Sequence, residues 1–407
     1  NGVETQKFDI VFLVGLTDNY YDENGKLQTA QRQTSENQTI VTNGDTYTVH
    51  PAFTNESSIN YANGGWDAEL AGIWVAKFEA GYASGNNSAT VKASSINYSQ
   101  DTAYVPAVET GTTTTTTTAR NWLDGEYGTT TTAIKYPTFQ GLTYSMNYIN
   151  HNDAYRISKV LTESGNIYGL NSSSTDSHLM KNSEWGAVSY LSQSKYGLDG
   201  TDIVINSVYL NNTTKSVYAV TGCASSTADA SAVSTTIGAL NNRTQSGVYV
   251  WTQKNGTAAS STGTIYGIYD MSGGISERTS SLINNKNNNL KTYGSQIIAD
   301  LNNGKSTKYI TIYPTGETLG QTMAQASQAN YTNNTKIYGD AIKETSTLGT
   351  GTNSWYSDCS DFVGLSTPFF LHGGYYGGTS ISGCFAFGRT SGNGSYNRGF
   401  RSVLVSL

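Results

Sequence analysis

The chain has 407 residues, of which 37% are hydrophobic and 13% are charged, and it contains 29 Tyr but only 5 Pro. This composition predicts a folded, β-rich protein with many turns and a polar surface, because the aromatic content is too high for a disordered chain. The formal net charge of -6 and the pI near 5.3 argue against a nucleic-acid ligand.

Residues 1–65 are predicted to form strands joined by polar turns such as Asp22-Glu-Asn-Gly25. They are either a β-rich assembly module or the lead-in to the main fold. The apolar run 8–16 is too short to span a bilayer and predicts a buried strand, so no direct membrane insertion is expected. The chain opens on Asn1, so either a leader was removed or the sequence was trimmed, and an upstream anchor is an open alternative.

Residues 66–407 are predicted to form a second domain. Residues 73–80, Ile-Trp-Val-Ala-Lys-Phe-Glu-Ala, alternate apolar and polar side chains and indicate a strand. The apolar spacing predicts a helix within 144–162, ended by Ser164-Gly165, and a second helix over 181–192.

Three insertions are expected in this domain, at about 84–140, 199–260 and 280–350. The first contains consecutive Thr residues at 112–118, which favour extended chain because they are β-branched. The other two have the composition of long decorated loops, which are unusual in a compact domain unless they make contacts.

The cysteines and histidines do not have the spacing of a metal or catalytic centre. Cys223, Cys359 and Cys384 are too few for a disulfide scaffold, and a Cys359–Cys384 bridge and two free thiols are equal alternatives. The sequence lacks His-x-x-x-His and Glu-x-x-His pairs, a Gly-x-Ser-x-Gly elbow and a phosphate loop. The isolated histidines are His50, His151, His178 and His372.

The C-terminal segment 356–407 contains no Lys, Glu, Gln, Met or Trp. It alternates Tyr, Ser, Gly, Asn, Asp, Thr and Arg with Phe and Val, and binding loops favour Tyr, Ser, Gly and Asn. The absent residue types are those that no codon ending in a pyrimidine encodes, so the bias suggests an Asn-rich template randomised at the first two codon bases. The alternative is a Gly-rich segment of strands and turns that disfavours long side chains.

Five segments resemble, in order and coarse spacing, the formylglycine-generating enzyme (sulfatase-modifying factor) family, over about residues 70–407. They are 73–80, Leu179-Met-Lys-Asn-Ser-Glu-Trp-Gly-Ala-Val188, Tyr266-Gly-Ile-Tyr-Asp-Met-Ser-Gly-Gly-Ile-Ser-Glu277, Phe370-Leu-His-Gly-Gly374 and Gly399-Phe-Arg401. The third resembles that family's Gly-Leu-Tyr-Asp-Met-x-Gly-Asn-Val-Trp-Glu, and the last matches its closing Gly-Phe-Arg.

The resemblance implies an α+β, C-type-lectin-like fold: a twisted antiparallel sheet, two helices and extensive irregular loops, here with a β-rich N-terminal segment. The same fold carries the variable proteins of diversity-generating retroelements. Their hypervariable stretch lies at the C-terminus and ends in Gly-Phe-Arg, where the compositional bias of this chain also falls.

The resemblance also sets expectations about metals. The enzymes of the family hold copper on a pair of Cys before Gly-Phe-Arg, whereas this chain has only Cys384 there, so we expect no enzyme and rank a copper-dependent oxidase last. The family binds calcium at the loop matching Gly273, Ile275 and Glu277. A structural calcium and a plain turn stabilised by Glu277 are the two alternatives. No other cofactor is expected.

The candidate ligand-binding face lies in the C-terminal segment. Its expected members are Tyr356, Ser357, Asp358, Asp361, Tyr375, Tyr376, Thr379, Ser380, Arg389, Asn393, Ser395, Tyr396 and Asn397. The four Tyr form an exposed aromatic set typical of binding, and the two Asp are interpreted as solvated loop carboxylates. Trp185 and the interleaved Phe residues are predicted to be core. These Phe residues are Phe362, Phe369, Phe370, Phe385, Phe387 and Phe400.

The sequence thus predicts a non-enzymatic extracellular protein that binds a protein or glycan receptor on another cell or virion. It would be a bacterial surface or pilus adhesin, or a phage tail receptor-binding protein, in a homo-oligomeric or filamentous assembly. The alternative is a purely structural subunit of a filament or virion.

Overall fold

A computed structural model describes residues 50–53, 65–67, 70, 72–82, 137–141, 144–147, 149–166, 168–207, 209–212, 215–225, 248–251, 256–302, 307–334 and 339–407, together with four short strands before residue 50. Those four strands form two antiparallel hairpins: β1 (Asn19–Tyr21) with β2 (Leu27–Thr29), and β3 (Thr39–Thr42) with β4 (Asp45–Thr48). The predicted strand at 8–16 and the Thr run at 112–118 lie outside the described residues.

The fold is α+β, with several small sheets and few helices. The helices are α1 (His151–Val160), α2 (Asn182–Gln193), α3 (Asn288–Tyr293), α4 (Ser295–Asn302) and α5 (Met323–Asn333). The further strands are β5 (Trp74–Val75), β6 (Gly81–Tyr82), β7 (Tyr144–Ser145), β8 (Thr175–Leu179), β9 (Tyr209–Asn212), β10 (Lys215–Ala219), β11 (Cys223–Ser225), β12 (Val248–Val250), β13 (Ser276–Ile283), β14 (Thr311–Tyr313), β15 (Phe369–His372), β16 (Phe387–Thr390), β17 (Arg398–Phe400) and β18 (Ser402–Ser406).

Strand β13 is the centre of the larger sheet. On one side it pairs parallel with β17 along its first half and with β14 along its second half. On the other side it pairs antiparallel with β15, which in turn pairs with β16. In a second sheet, β18 lies antiparallel between β5 and β8. The last strand therefore pairs with strands from the beginning and the middle of residues 66–407.

Two helices pack against these sheets. The side chain of Asn150 caps α1 by accepting a hydrogen bond from the backbone N of Asp153 at 2.8 Å. Tyr155 of α1 is buried in one core cluster with Leu179 and Phe400. Helix α2 contributes Trp185 to a second core cluster.

The expected core position of Trp185 is confirmed, since it is fully buried. Its ring stacks on His372 with centroids 5.1 Å apart, and its Nε1 donates a 2.8 Å hydrogen bond to the carbonyl oxygen of Cys384. Trp185 thus links α2 to the C-terminal segment.

Several sequence predictions need correction. Only Trp74–Val75 of the predicted strand 73–80 is paired. The helix predicted within 144–162 is confirmed as α1, which follows β7 and is capped by Asn150. The helix predicted over 181–192 is confirmed as α2. The long loop predicted over 280–350 is wrong, because this region holds the second half of β13 together with β14 and three helices, α3, α4 and α5.

Among the described residues, no helix combines the length and apolar character needed to cross a bilayer.

We predict that Gly186→Ala destabilises the protein by about 1–3 kcal/mol. Gly186 lies in α2 where a Cβ would overlap the backbone of Gly339 and Asp340, so one of the two segments must move. Urea unfolding measures the change.

The matched control is Gly72→Ala, because a Cβ at Gly72 meets no atom within 4 Å. This substitution should change the unfolding free energy by about 0.5 kcal/mol or less. Equal values for the two variants would contradict the close approach of α2 to residues 339–340.

Candidate functional site

Three short connections carry most of the predicted binding residues. Two are 3₁₀ turns, Trp355–Ser357 and Tyr376–Ile381, which contact each other. The third is the loop 391–397 between β16 and β17. Strands β15 and β16 flank the second turn, and β16 and β17 flank the loop, so the positions of these two connections follow from the larger sheet.

The six interleaved Phe residues are all buried, as predicted. Phe362 packs edge-on against Phe370 with centroids 5.1 Å apart. Phe385 contacts the ring of Trp355 at 5.0 Å and stacks under Tyr356 at 6.1 Å. The first turn thus rests on a close-packed aromatic ring, which restricts its movement.

Tyr356 is an exposed anchor of the first turn. It is 41% exposed, and its hydroxyl lies 2.5 Å from Oε1 of Gln193 and 2.7 Å from the carbonyl oxygen of Gly200, both acceptors. Burial of the ring, with the charge of Asp202, raises the pKa of Tyr356 to about 12, so the phenol stays protonated. Phe385 therefore holds one face of the Tyr356 ring, and the two acceptors hold its hydroxyl, while the other parts of the side chain face solvent.

Backbone strain gathers at the same turns. Tyr356, Ser357 and Thr379 have φ of 58°, 65° and 53°, a left-handed region that side chains other than glycine rarely adopt. All three residues are exposed. Such outliers persist where the surrounding structure enforces them, and they concentrate at binding sites.

The other tyrosines differ from one another. Tyr396 is 37% exposed and Tyr375 is half-buried. Burial, together with the neighbouring phenol of Tyr396, raises the pKa of Tyr375. The prediction that Tyr376 is exposed is wrong: it is 2% exposed and packs with Ala219 and Ile275. Tyr376 belongs to the core, and its backbone N donates a 2.9 Å hydrogen bond to the carbonyl oxygen of Gly274.

The interpretation of Asp358 as a solvated carboxylate is also wrong. Asp358 is 1% exposed and accepts hydrogen bonds from the backbone N of Gly383 at 2.9 Å and of Phe385 at 3.0 Å. It fixes the 381–386 loop from beneath. Burial and the neighbouring charge of Asp202 raise the pKa of Asp358 to about 8.

Asp361 and Arg389 are drawn towards α5. Nη2 of Arg389 lies 3.7 Å from the Asp361 carboxylate, and Nη1 donates to Oγ of Ser327 in α5 and to the carbonyl oxygen of Phe362. Arg389 therefore contacts both Asp361 and α5.

The 391–397 loop is held by polar contacts. Its Asn393 accepts hydrogen bonds from both Arg278 and Arg398, and its Ser395 hydroxyl donates to Asn397 Oδ1 at 2.8 Å. The carbonyl oxygen of Tyr396 accepts from Nδ2 of Asn147 at 2.9 Å.

We give the name C-terminal face to those predicted binding residues that are exposed or half-exposed and lie on the three connections, together with Tyr375, which directly precedes the second turn. They are Tyr356, Ser357, Tyr375, Thr379, Ser380, Asn393, Ser395, Tyr396 and Asn397.

The predicted calcium loop is occupied by protein groups. Both carboxylate oxygens of Glu277 bond to Arg401, Oε1 to Nη2 at 2.6 Å and Oε2 to Nε at 3.0 Å. Gly273 has φ of 77° and Ile275 is buried, with its backbone N bonded to Glu79. Because a guanidinium already neutralises Glu277, these residues do not fit a calcium ion coordinated by Glu277.

The two C-terminal thiols are free in this structure. Burial raises the pKa of Cys359 to about 11 and also raises that of the fully buried Cys384. Both are therefore neutral at physiological pH and make poor nucleophiles. Within the part of the chain that the structure describes, no group of three or more His, Cys, Asp or Glu side chains could hold a metal ion.

Sequence reasoning missed Arg278, Arg398, Gln193 and Gly200, which hold the exposed members of the face. The two arginines stand out only as cations near a weakly charged segment. Gln193 and Gly200 carry no local signal, because their contact with Tyr356 joins positions more than 150 residues apart.

Neither a scan against protein-family models nor a search of curated proteins finds a match to this chain.

We predict that Asp358→Asn flattens the pH dependence of stability. The folded pKa of Asp358 is raised to about 8, above the unfolded value of about 3.9, so the folded state retains a proton that the unfolded chain releases. The unfolding free energy of the parent should therefore fall as pH rises from about 4 to about 8, by at most about 1.4 kcal/mol per pH unit from this group.

The measurement is urea unfolding across that pH range. The control is Asp199→Asn, which removes an exposed carboxylate whose positive φ Asn tolerates. The account of Asp358 is wrong if its variant keeps the slope of the parent.

Proposed function

We propose that this protein is a non-enzymatic, extracellular binding protein whose C-terminal face meets a protein or glycan receptor. The observation that carries the proposal is the layering of the C-terminal segment. Buried Phe rings support strained turns, and these turns present phenols, hydroxyls and amides to solvent. Rigid aromatic area surrounded by adaptable polar groups is typical of protein-binding surfaces.

We also propose the finer fold assignment, a C-type-lectin-like domain over residues 66–407. Its support is the resemblance of the five sequence segments, together with the two helices on the sheets and the pairing of β18 with both β5 and β8. This pairing places β18, the last strand, next to β5, the first strand of residues 66–407. The C-terminal face therefore belongs to a closed framework, meaning one in which both ends of this region lie in the same sheet.

The closed framework suits a diversified face, as in the variable proteins of diversity-generating retroelements. Substitutions at exposed positions usually change stability by about 0.5 kcal/mol or less, whereas buried positions tolerate little. Variation would therefore concentrate on the C-terminal face and spare Asp358 and Tyr376. A near-copy of the DNA for residues 355–401 that differs only at adenines, beside a reverse transcriptase gene, would support diversification.

The protein would be a bacterial surface or pilus adhesin, or a phage tail protein, in a homo-oligomeric or filamentous assembly. A specific observation favours the alternative of a structural subunit. Large apolar side chains that are not members of the C-terminal face are also exposed, at Tyr196, Tyr266 and Leu319, and such residues are common at contacts between subunits. The two functions differ in whether the C-terminal face is open or covered in the assembly.

We predict that Tyr375→Ala and Tyr396→Ala each weaken receptor binding about tenfold or more, because aromatic residues central to an interface supply most of its binding energy. Binding to immobilised glycans and to whole bacterial cells is measured for the parent and for each variant.

Tyr266→Ala is the control, since Tyr266 is more exposed than either residue and is not a member of the C-terminal face. Loss of binding in this control but not in the two face variants would move the site away from the C-terminal face and favour the subunit alternative.

A further inference from the structure

Arg278 on β13 is a fully buried cation without an ion-pair partner in the described part of the chain. Its Nε donates to the carbonyl oxygen of Ile149 at 3.1 Å and its Nη2 to the carbonyl oxygen of Asn393. Its Nη1 is buried and makes no hydrogen bond. Buried guanidinium groups are normally paired with an anion, because an uncompensated buried charge is costly.

A second guanidinium lies beside it. Arg398 is half-buried, and its Nη1 donates to Oδ1 of Asn393 at 2.9 Å. The two arginines thus hold one residue, Arg278 through the carbonyl of Asn393 and Arg398 through its amide oxygen. Burial and the charge of Arg398 both lower the pKa of Arg278.

The surrounding charges leave this site positive. The carboxylate of Asp153 attracts Arg278 and offsets one of the two guanidinium charges. His151 adds no charge, because burial and Arg278 hold its pKa well below the ordinary value. The amino-terminal end of α1 contributes its own partial positive charge.

We propose that the partner of the C-terminal face presents a carboxylate that binds Arg398, with Arg278 adding positive charge from beneath. The proposal rests on the proposed function. The carboxylate takes the place of the Asn393 amide oxygen on Arg398, since an anion accepts hydrogen bonds from a guanidinium more strongly than a neutral amide does. Asn393 is half-buried and belongs to the face, so it covers the cation until the ligand arrives.

The test uses two pairs of probes that differ in charge: 3′-sialyllactose with lactose, and a hexaglutamate peptide with a hexaglutamine peptide. They separate an acidic sugar from an acidic peptide as the source of the carboxylate. Binding is measured by calorimetry on the full chain, for the parent and for the Arg398→Gln, Asn393→Asp and Asn171→Asp variants.

At least one acidic probe should bind the parent about tenfold more tightly than its neutral partner, and less tightly as salt is added. Arg398→Gln removes the cation and Asn393→Asp supplies the missing anion within the chain, so each should reduce that affinity about tenfold. Asn393→Asp should also raise the melting temperature. Asn171→Asp makes the same charge change at an exposed position elsewhere and should bind as the parent does.

The proposal is overturned if neither acidic probe binds, if acidic and neutral partners bind equally, or if both site variants keep the parent affinity. Neutral binding that Tyr396→Ala abolishes would leave the proposed function standing without the carboxylate. Acidic binding that survives both Tyr375→Ala and Tyr396→Ala would instead count against the C-terminal face.

Discussion

The buried pair of Arg401 and Glu277 is the interaction on which the rest of the structure depends. Arg401 lies between β17 and β18, the strands that enter the two sheets, and it also donates to the carbonyl oxygens of Ala76 at 2.5 Å and Tyr269 at 2.7 Å. One side chain therefore joins the C-terminal segment, the central strand and the start of the domain. Breaking such a pair leaves a buried charge uncompensated, at a cost of about 3–5 kcal/mol.

This junction explains how a surface of small polar residues can be stiff. The Arg401 pair fixes the strands, the Phe rings fill the space between them, and Asp358 fixes the 381–386 loop through two backbone N–H groups. The exposed residues contribute little to this framework. Under the proposed binding function, stability and recognition would depend on different side chains of one short segment, so the binding residues could change without loss of stability.

The sequence predicted those parts of the structure that depend on local patterns. Helix α2, Trp185 and the buried Phe residues follow from apolar spacing, which reports directly on burial. Helix α5 also had a local signal that was overlooked, the capping box of Thr322 and Gln325. The predictions for Asp358 and Tyr376 are wrong because the burial of each residue depends on partners elsewhere in the fold. These partners are Gly383 and Phe385 for Asp358, and Ala219 and Ile275 for Tyr376. The pairing of Glu277 with Arg401, 124 residues apart, has no local signature at all.

The central claim is that the C-terminal face can change while the framework beneath it holds. The most direct measurement is the unfolding free energy of a triple variant, Ser357→Asn, Ser380→Tyr and Tyr396→Ser, beside that of Phe362→Ala. The account predicts a loss of about 1.5 kcal/mol or less for the three exposed changes together and about 3–5 kcal/mol for the single buried one. A triple variant that unfolds as readily as Phe362→Ala would contradict it.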